Sequence, residues 1–359
     1  MLIYWFFWFF WFFLSVFSIL SNNKVLSKKI FFLTILIIYI FVGFRFEVGV
    51  DRDDYLLLYQ HIGGLSLKEA LFYNDPGYAF VNYVGNYFNF KDMIFVNSVC
   101  AAIFIYTFYK FSKKFQYFWV PLFVSYTYLV VVVSMNYIRQ SVSISLLLMG
   151  LYFLINNKTY KFLFLLLLAT LFHKTAIIFI VFLPVFYFKN WKIGKLILAT
   201  YTLVSLFFIT YILYLASVND ANIYVSGNDV SSSGAVFRAL FHLVPVGLYL
   251  YFRKFFENEY KGNIYILDYM VVLVVYCFAL AFVFSTLSDR FNLYLSFFDI
   301  LIYAKVCEIL SLKKRNFLNL YLFIFFSFTF FIWLNFGSWA DYGWIPYQNY
   351  IINFLSNSF

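Results

Sequence analysis

Five of the seven arginines in this chain, Arg45, Arg52, Arg139, Arg238 and Arg290, lie in or beside connections that hold few lysines. Four of them, Arg45, Arg139, Arg238 and Arg290, sit at the end of an apolar run or within a turn of it. A charge held deeper in such a run costs about 2.5–3.5 kcal/mol, so its retention points to a partner. The planar guanidinium fork meets phosphate or pyrophosphate oxygens in pairs, which a lysine ammonium cannot do. The plainer use is a snorkelling or carboxylate-paired arginine, with Arg52 beside Asp54 and Arg290 beside Asp289. Carboxylates give a second signal. Segment 44–87 gathers Glu47, Asp51, Asp53, Asp54, Glu69 and Asp75, with His61 and Lys68, in a chain that is only 12% charged. Asp51, Asp53 and Asp54 follow a turn at Gly49. They could form a solvated loop face, supply a general base or hold a hard cation. No second acidic motif recurs on another loop, so a metal is the weakest of these readings. His173 is a core histidine or, with Lys174 beside it, a base or phosphate ligand.

The elements that must position these groups are membrane spans. Hydrophobic residues make up 64% of the 359, aromatics 26%, and mean hydropathy is +0.84, whereas soluble domains hold roughly 45–50% apolar residues. Apolar runs of span length recur throughout: 2–20, 30–44, 93–109, 117–134, 140–155, 162–172 with 175–188, 196–217, 235–252, 264–284, 293–312 and 316–336. The expected fold is all-α, a polytopic transmembrane helical bundle of about 11–12 spans forming one integral membrane domain over residues 1–359. The first run is apolar from Leu2 with no basic n-region, which predicts a retained span. Cys100, Cys277 and Cys307 lie inside apolar runs without metal-ligand spacing, as small buried hydrophobes do. The net charge of +10 comes from short basic clusters between spans, which argues against nucleic acid.

Alternate connections hold the clusters Lys24/Lys28/Lys29, Lys110/Lys113/Lys114, Lys158/Lys161, Lys189/Lys192/Lys195, Arg253/Lys254/Lys261 and Lys313/Lys314/Arg315. The positive-inside bias puts these in the cytoplasm and the arginine-bearing connections outside. Residues 162–188 would be about 40 Å long as one helix, too long for one crossing and too short for two full ones. Two short helices meeting at His173-Lys174 keep the charge bias intact. The outward regions are then 45–92, with short helices at 51–63 and 66–73 and a capping box at Ser66-Leu-Lys-Glu69; a polar loop at 218–234; and a tail at 337–359. In that tail Trp339, Tyr342, Trp344 and Tyr347 read as an interfacial aromatic belt. Asn74-Asp-Pro-Gly77 reads as a turn. Asp268, Asp299 and Glu308, inside apolar runs, read as interhelical hydrogen-bonding residues.

Six pieces in register resemble the EpsG-type family of Wzy-like polysaccharide polymerases. They are Arg45…Gly49-Val-Asp51…Tyr55, Asp75-Pro-Gly-Tyr78, Ile138-Arg139-Gln140, Leu171-Phe-His173-Lys174, Asp289-Arg290…Tyr294 and Pro346-Tyr347. The chain departs from the family pattern at Arg52-Asp53-Asp54, where a neutral residue is usual, and at Lys174, where a small hydroxyl or apolar residue is usual. The resemblance implies a multi-pass enzyme of the bacterial inner membrane, GT-C-like in fold, with its active face periplasmic. It would extend O-antigen, capsule or exopolysaccharide by joining oligosaccharides carried on undecaprenyl pyrophosphate. Its expected catalytic residues are His173, Asp51 and Arg290. Its expected pyrophosphate and glycan contacts are Arg45, Arg139, Gln140, Lys174, Arg238, Asp54, Tyr55, Tyr78 and Tyr294. Aromatics of the tail and of 55–87 would stack on sugars. No cofactor or metal is called for. Donor and acceptor lipid-linked oligosaccharides and membrane lipid are the expected partners, with a chain-length regulator protein as a further one. A flippase for the same lipid-linked units and an O-antigen ligase are the alternatives; one-sided polarity and the lack of repeats weigh against the flippase.

Overall fold

The computed structural model describes residues 1–20, 23–188, 195–224, 232 and 234–356. Described residues are almost entirely helical. Six helices among them are long and apolar enough to cross a membrane: Lys24–Gly43, Ile94–Ser112, Ile138–Ile155, Leu196–Leu215, Arg253–Ala281 and Leu312–Phe336. Shorter apolar helices cover Leu2–Phe17, Val120–Asn136, Thr159–Phe172, Lys174–Phe188 and Ala235–Tyr251. The chain divides into two compact units, one of residues 1–146, 171–173 and 307–359, the other of 147–170 and 174–306.

In the first unit, α1 (Leu2–Leu20) and α2 (Lys24–Gly43) lead to a two-residue strand, Arg45–Phe46, paired antiparallel with Gln348–Asn349. The Asn23 side chain caps α2 by accepting from the Val25 and Leu26 amides. Three short helices follow: α3 (Arg52–Gly63), α4 (Leu67–Tyr73) and α5 (Pro76–Tyr87). The capping box forms as its sequence predicts, with Ser66 and Glu69 bonding reciprocally. Asn74-Asp-Pro-Gly77 does not end in a turn; Pro76 starts α5, the first-turn position where its missing N–H leaves nothing unpaired. Ile62, Ala70 and Ala79 pack these three helices together.

The segment leading to Arg139 is irregular. Helix α6 (Ile94–Ser112) precedes an apolar helix, Val120–Asn136, whose middle, Tyr126–Val133, is π-helical. Tyr137 then breaks the helix (φ −91°, ψ 64°), and α8, counting Val120–Asn136 as α7, begins at Ile138. The π-helix is braced from the far end of the chain, since the Trp344 indole donates to the Val131 carbonyl at 3.0 Å. Lipid gives helices little hydrophobic reason to associate, so packing and interhelical hydrogen bonds must hold them. Here rings do much of the packing. Trp8 stacks on Phe323 with 5.7 Å between centroids and donates to Ser327 at 2.7 Å.

Helix Thr159–Phe172, whose last two residues belong with His173 to the first unit, ends at His173; in the second unit a 3-10 turn, Lys174–Val181, runs into helix Phe182–Phe188. The break falls where the length argument placed it. The 3-10 turn rises about 2 Å per residue, so the second limb reaches about 26 Å, closer to a crossing than the same residues as α-helix. Helix Lys195–Tyr224 extends past the expected span end at 217, so residues 218–224 are helical, not the start of a loop; 225–231 and 233 lie outside the described residues. Asp268 and Asp299 meet side chains of neighbouring helices as expected, whereas Glu308 meets the backbone of a turn. His242 Nδ1 lies 2.6 Å from Asp299, and Asp268 accepts from the Tyr249 hydroxyl at 2.6 Å and from Arg253 at 2.8 Å. In the first unit Glu308 accepts from the Gln116 amide at 2.8 Å. All three cysteines are buried and free.

Candidate active site

The first unit brings three sequence-distant residues onto one carboxylate. Asp75, 1% exposed, takes the Arg139 guanidinium at 2.9 Å and lies 3.7 Å from His173 Nδ1. Each partner is placed by a helix end. Asp75 precedes α5, with its carbonyl accepting from Ala79. Arg139 is the second residue of α8, just after the Tyr137 break, and His173 follows the last residue of Thr159–Phe172. Gly77 permits the approach; a Cβ there would stand 3.0 Å from the Leu171 carbonyl oxygen. Arg139 Nη1 also donates to Asn74 Oδ1 at 2.8 Å, and its Cζ lies 5.9 Å from the Tyr55 ring centre. The Arg139 Nε and His173 Nδ1 are buried without a hydrogen-bond partner. Arg139 and His173 remain 24% and 19% exposed, so both reach the surface while their shared carboxylate does not.

Asp51 is held separately. Its amide donates to Asn136 Oδ1 at 3.0 Å, and Asn136 Nδ2 donates back to its carboxylate at 3.2 Å. The turn before it needs Gly49, whose φ is +110° and whose Cβ would meet the Met135 carbonyl at 2.7 Å. Asn136 therefore ties the Asp51 turn to the break that precedes Arg139.

Several expected contact residues take other positions. Arg45 is 3% exposed and spends its guanidinium on backbone carbonyls, Met135 at 3.1 Å and Val42 at 2.7 Å. Burial lowers its pKa to about 10, so it stays charged at neutral pH. This arginine joins helix ends and faces no open site. Tyr55, Tyr78 and Tyr294 are buried, and burial raises the pKa of Tyr55 and, further, of Tyr78; none of the three offers a ring face to a sugar. Gln140 is buried as well. Asp54 is exposed on α3, and Arg52 pairs with Asp53 at 3.4 Å. Of the tail aromatics, Trp339 and Tyr342 are exposed, whereas Trp344 is buried and Tyr347 turns inward to donate to the Phe41 carbonyl at 2.6 Å.

In the second unit Asp289 is taken by Arg238 at 2.5 Å and by the Ser232 hydroxyl at 3.1 Å. Arg290, the next residue on the same helix, is half-buried, and Lys174 is exposed. Tyr294 shares a 2.9 Å hydrogen bond with Thr175.

Asp75 is the residue missed as a site member, and Asn74 and Asn136 were missed with it. Asn74 and Asp75 stand in a string with turn composition, and two signals mark Asp75: its charge beside an apolar stretch and its place at the head of the Asp75-Pro-Gly-Tyr78 piece. Asn136 carried no signal.

A polytopic helical membrane protein with an arginine, a carboxylate and a histidine gathered at helix ends is the class these observations define. A family model then fixes the kinship: the EpsG family model matches residues 28–349, and the chain belongs to that family. The family is one of membrane proteins associated with polysaccharide polymerases of glycosyltransferase type. The match covers Asp51, Asp75, Arg139 and His173 and ends at Asn349, the residue paired with Arg45. No curated protein and no solved structure matches the chain.

Proposed function

We propose that the chain is a polysaccharide polymerase of the bacterial inner membrane. It would transfer a growing glycan from undecaprenyl pyrophosphate to a hydroxyl of an incoming lipid-linked repeat unit, on the periplasmic side. The bond from the donor's anomeric carbon to its phosphate oxygen breaks, and the pair of electrons leaves on the pyrophosphate. The acceptor oxygen bonds to that carbon and loses its proton. Convergence of Arg139 and His173 on the buried Asp75 carries this reading. Arg139 stabilises the leaving pyrophosphate, a charge that grows as the bond breaks. His173 takes the acceptor proton; its Nδ1 faces Asp75, which leaves Nε2 for the hydroxyl. Asp51, partly exposed and fixed by Asn136, is the second base this geometry offers. Arg45 acts as a strut beneath them. Arg290, Arg238 and Lys174 carry the donor-binding role only on the strength of charge and sequence position. The GT-C-like fold and metal-independent transfer belong to the same proposal.

The test is transfer by purified protein in nanodiscs, fed lipid-linked repeat units. His173→Gln should slow elongation by about 10²–10⁴-fold while the protein stays folded. Elongation at the normal rate by this variant, with Asp51→Asn inactive, would hand the base role to Asp51.

A further inference from the structure

Burial removes Tyr55, Tyr78, Trp344 and Tyr347 from the aromatics that could stack on a sugar; among those still exposed, the tail sets two side by side. Trp339 and Tyr342, on the turn into helix Ala340–Trp344, are 62% and 54% exposed, with ring centroids 6.4 Å apart at 70°. Charged groups frame them. Arg52 lies over the Tyr342 ring at 5.6 Å, donates to the Glu47 carbonyl at 2.7 Å and pairs with the exposed Asp53 at 3.4 Å; Asp341 is exposed on the same short helix. Backbone contacts tie this patch to the Asp51 turn. The Gly49 amide donates to the Gly343 carbonyl at 2.6 Å, and a Cβ on Gly343 would stand 2.8 Å from Val50 Cγ2. The patch is therefore tied to the backbone two residues from Asp51.

We infer that Trp339 and Tyr342 form a glycan subsite, which grips a pyranose ring of the oligosaccharide on its apolar face. Sugars present C–H groups on one face and hydroxyls at the rim. An exposed indole and phenol at an angle match that face, while Arg52 and Asp53 offer a donor fork and an acceptor pair for neighbouring hydroxyls. A belt of aromatics anchored in lipid headgroups would also be exposed. A carboxylate at position 53 and another at position 341, flanking the rings, suit a hydrated sugar better than an anionic leaflet. This subsite rests on the polymerase reading for its ligand, but binding alone tests it.

The probe is a soluble oligosaccharide cut from the producing strain's own surface polysaccharide. It is titrated into purified protein in nanodiscs and read by saturation-transfer NMR and calorimetry. Trp339→Ala and Tyr342→Ala should each weaken binding by about tenfold, and Trp339→Phe should recover part of the loss. Arg139→Lys should bind the oligosaccharide as the unmodified protein does while losing transfer, which separates the two ideas. Unchanged affinity in both alanine variants overturns the subsite and leaves the polymerase reading standing. So does quenching by brominated lipid that disappears in Trp339→Phe, because the indole then lies in the bilayer.

Discussion

Arg139 and Asp75 make opposite predictions for stability and for activity, and the opposition separates a structural ion pair from a working one. In Arg139→Met the Asp75 carboxylate, 1% exposed, loses the guanidinium 2.9 Å away, a full charge facing it at hydrogen-bond distance, while His173 Nδ1 stays at 3.7 Å. Stranding a buried charge in this way costs about 3–5 kcal/mol. Replacing Asp75 as well, in Arg139→Met/Asp75→Asn, removes the stranded charge, so most of that stability should return. Transfer should not return with it. Each hydrogen bond from a charged donor is worth about 1.5–3 kcal/mol, so loss of two to a leaving pyrophosphate slows the reaction by about 10²–10⁴-fold. The assay pairs thermal unfolding in nanodiscs with the length of polymer made from lipid-linked units. A double variant that is stable and still polymerises would refute the pyrophosphate role. A single variant as stable as the parent would refute the account of Asp75 as a dependent buried charge.

Further expectations follow from individual contacts. Arg45→Lys should destabilise the protein by about 1–3 kcal/mol, because a point charge cannot replace a fork spanning the Met135 and Val42 carbonyls; calorimetric or fluorescence melting checks this. Gly77→Ala should push α5 from the Leu171 carbonyl, 3.0 Å from the added Cβ, and reduce transfer with the helices intact by circular dichroism. Trp344→Phe removes the donor to Val131 at 3.0 Å and should cost about 1–3 kcal/mol, read as an earlier melt. With Cys100, Cys277 and Cys307 buried, Lys68→Cys should be labelled in intact cells by a maleimide that cannot cross the inner membrane. Labelling only after lysis would reverse the orientation.

Much of this architecture is legible in the sequence because hydropathy, charge and length act locally. The break at His173 follows from a run too long for one crossing and too short for two. Ser66 and Glu69 announce their cap by spacing alone. The buried carboxylate was hidden because Asn-Asp-Pro-Gly serves a turn and a helix start with the same residues. Nothing in Tyr126–Val133, a β-branched apolar string, marks a π-helix; its carbonyl partner comes from Trp344, more than two hundred residues away. Charge partners far apart in sequence are equally hidden: Asp289 adjoins Arg290, yet it also takes Arg238, from another helix, at 2.5 Å. Arg45 drew the expectation of a phosphate ligand from its charge, whereas two carbonyls that only the folded chain presents hold it inside.

The central claim is that one histidine and one arginine sharing a buried carboxylate carry out glycosyl transfer between lipid-linked chains. Its most direct test supplies purified protein with undecaprenyl-pyrophosphate-linked repeat units of two isotopic labels and follows the label on the transferred sugar. The account predicts a ladder of polymer with release of undecaprenyl pyrophosphate, abolished in His173→Gln and in Arg139→Met/Asp75→Asn. A ladder of the same length and rate from both variants, or label crossing the bilayer with no new glycosidic bond, would contradict it.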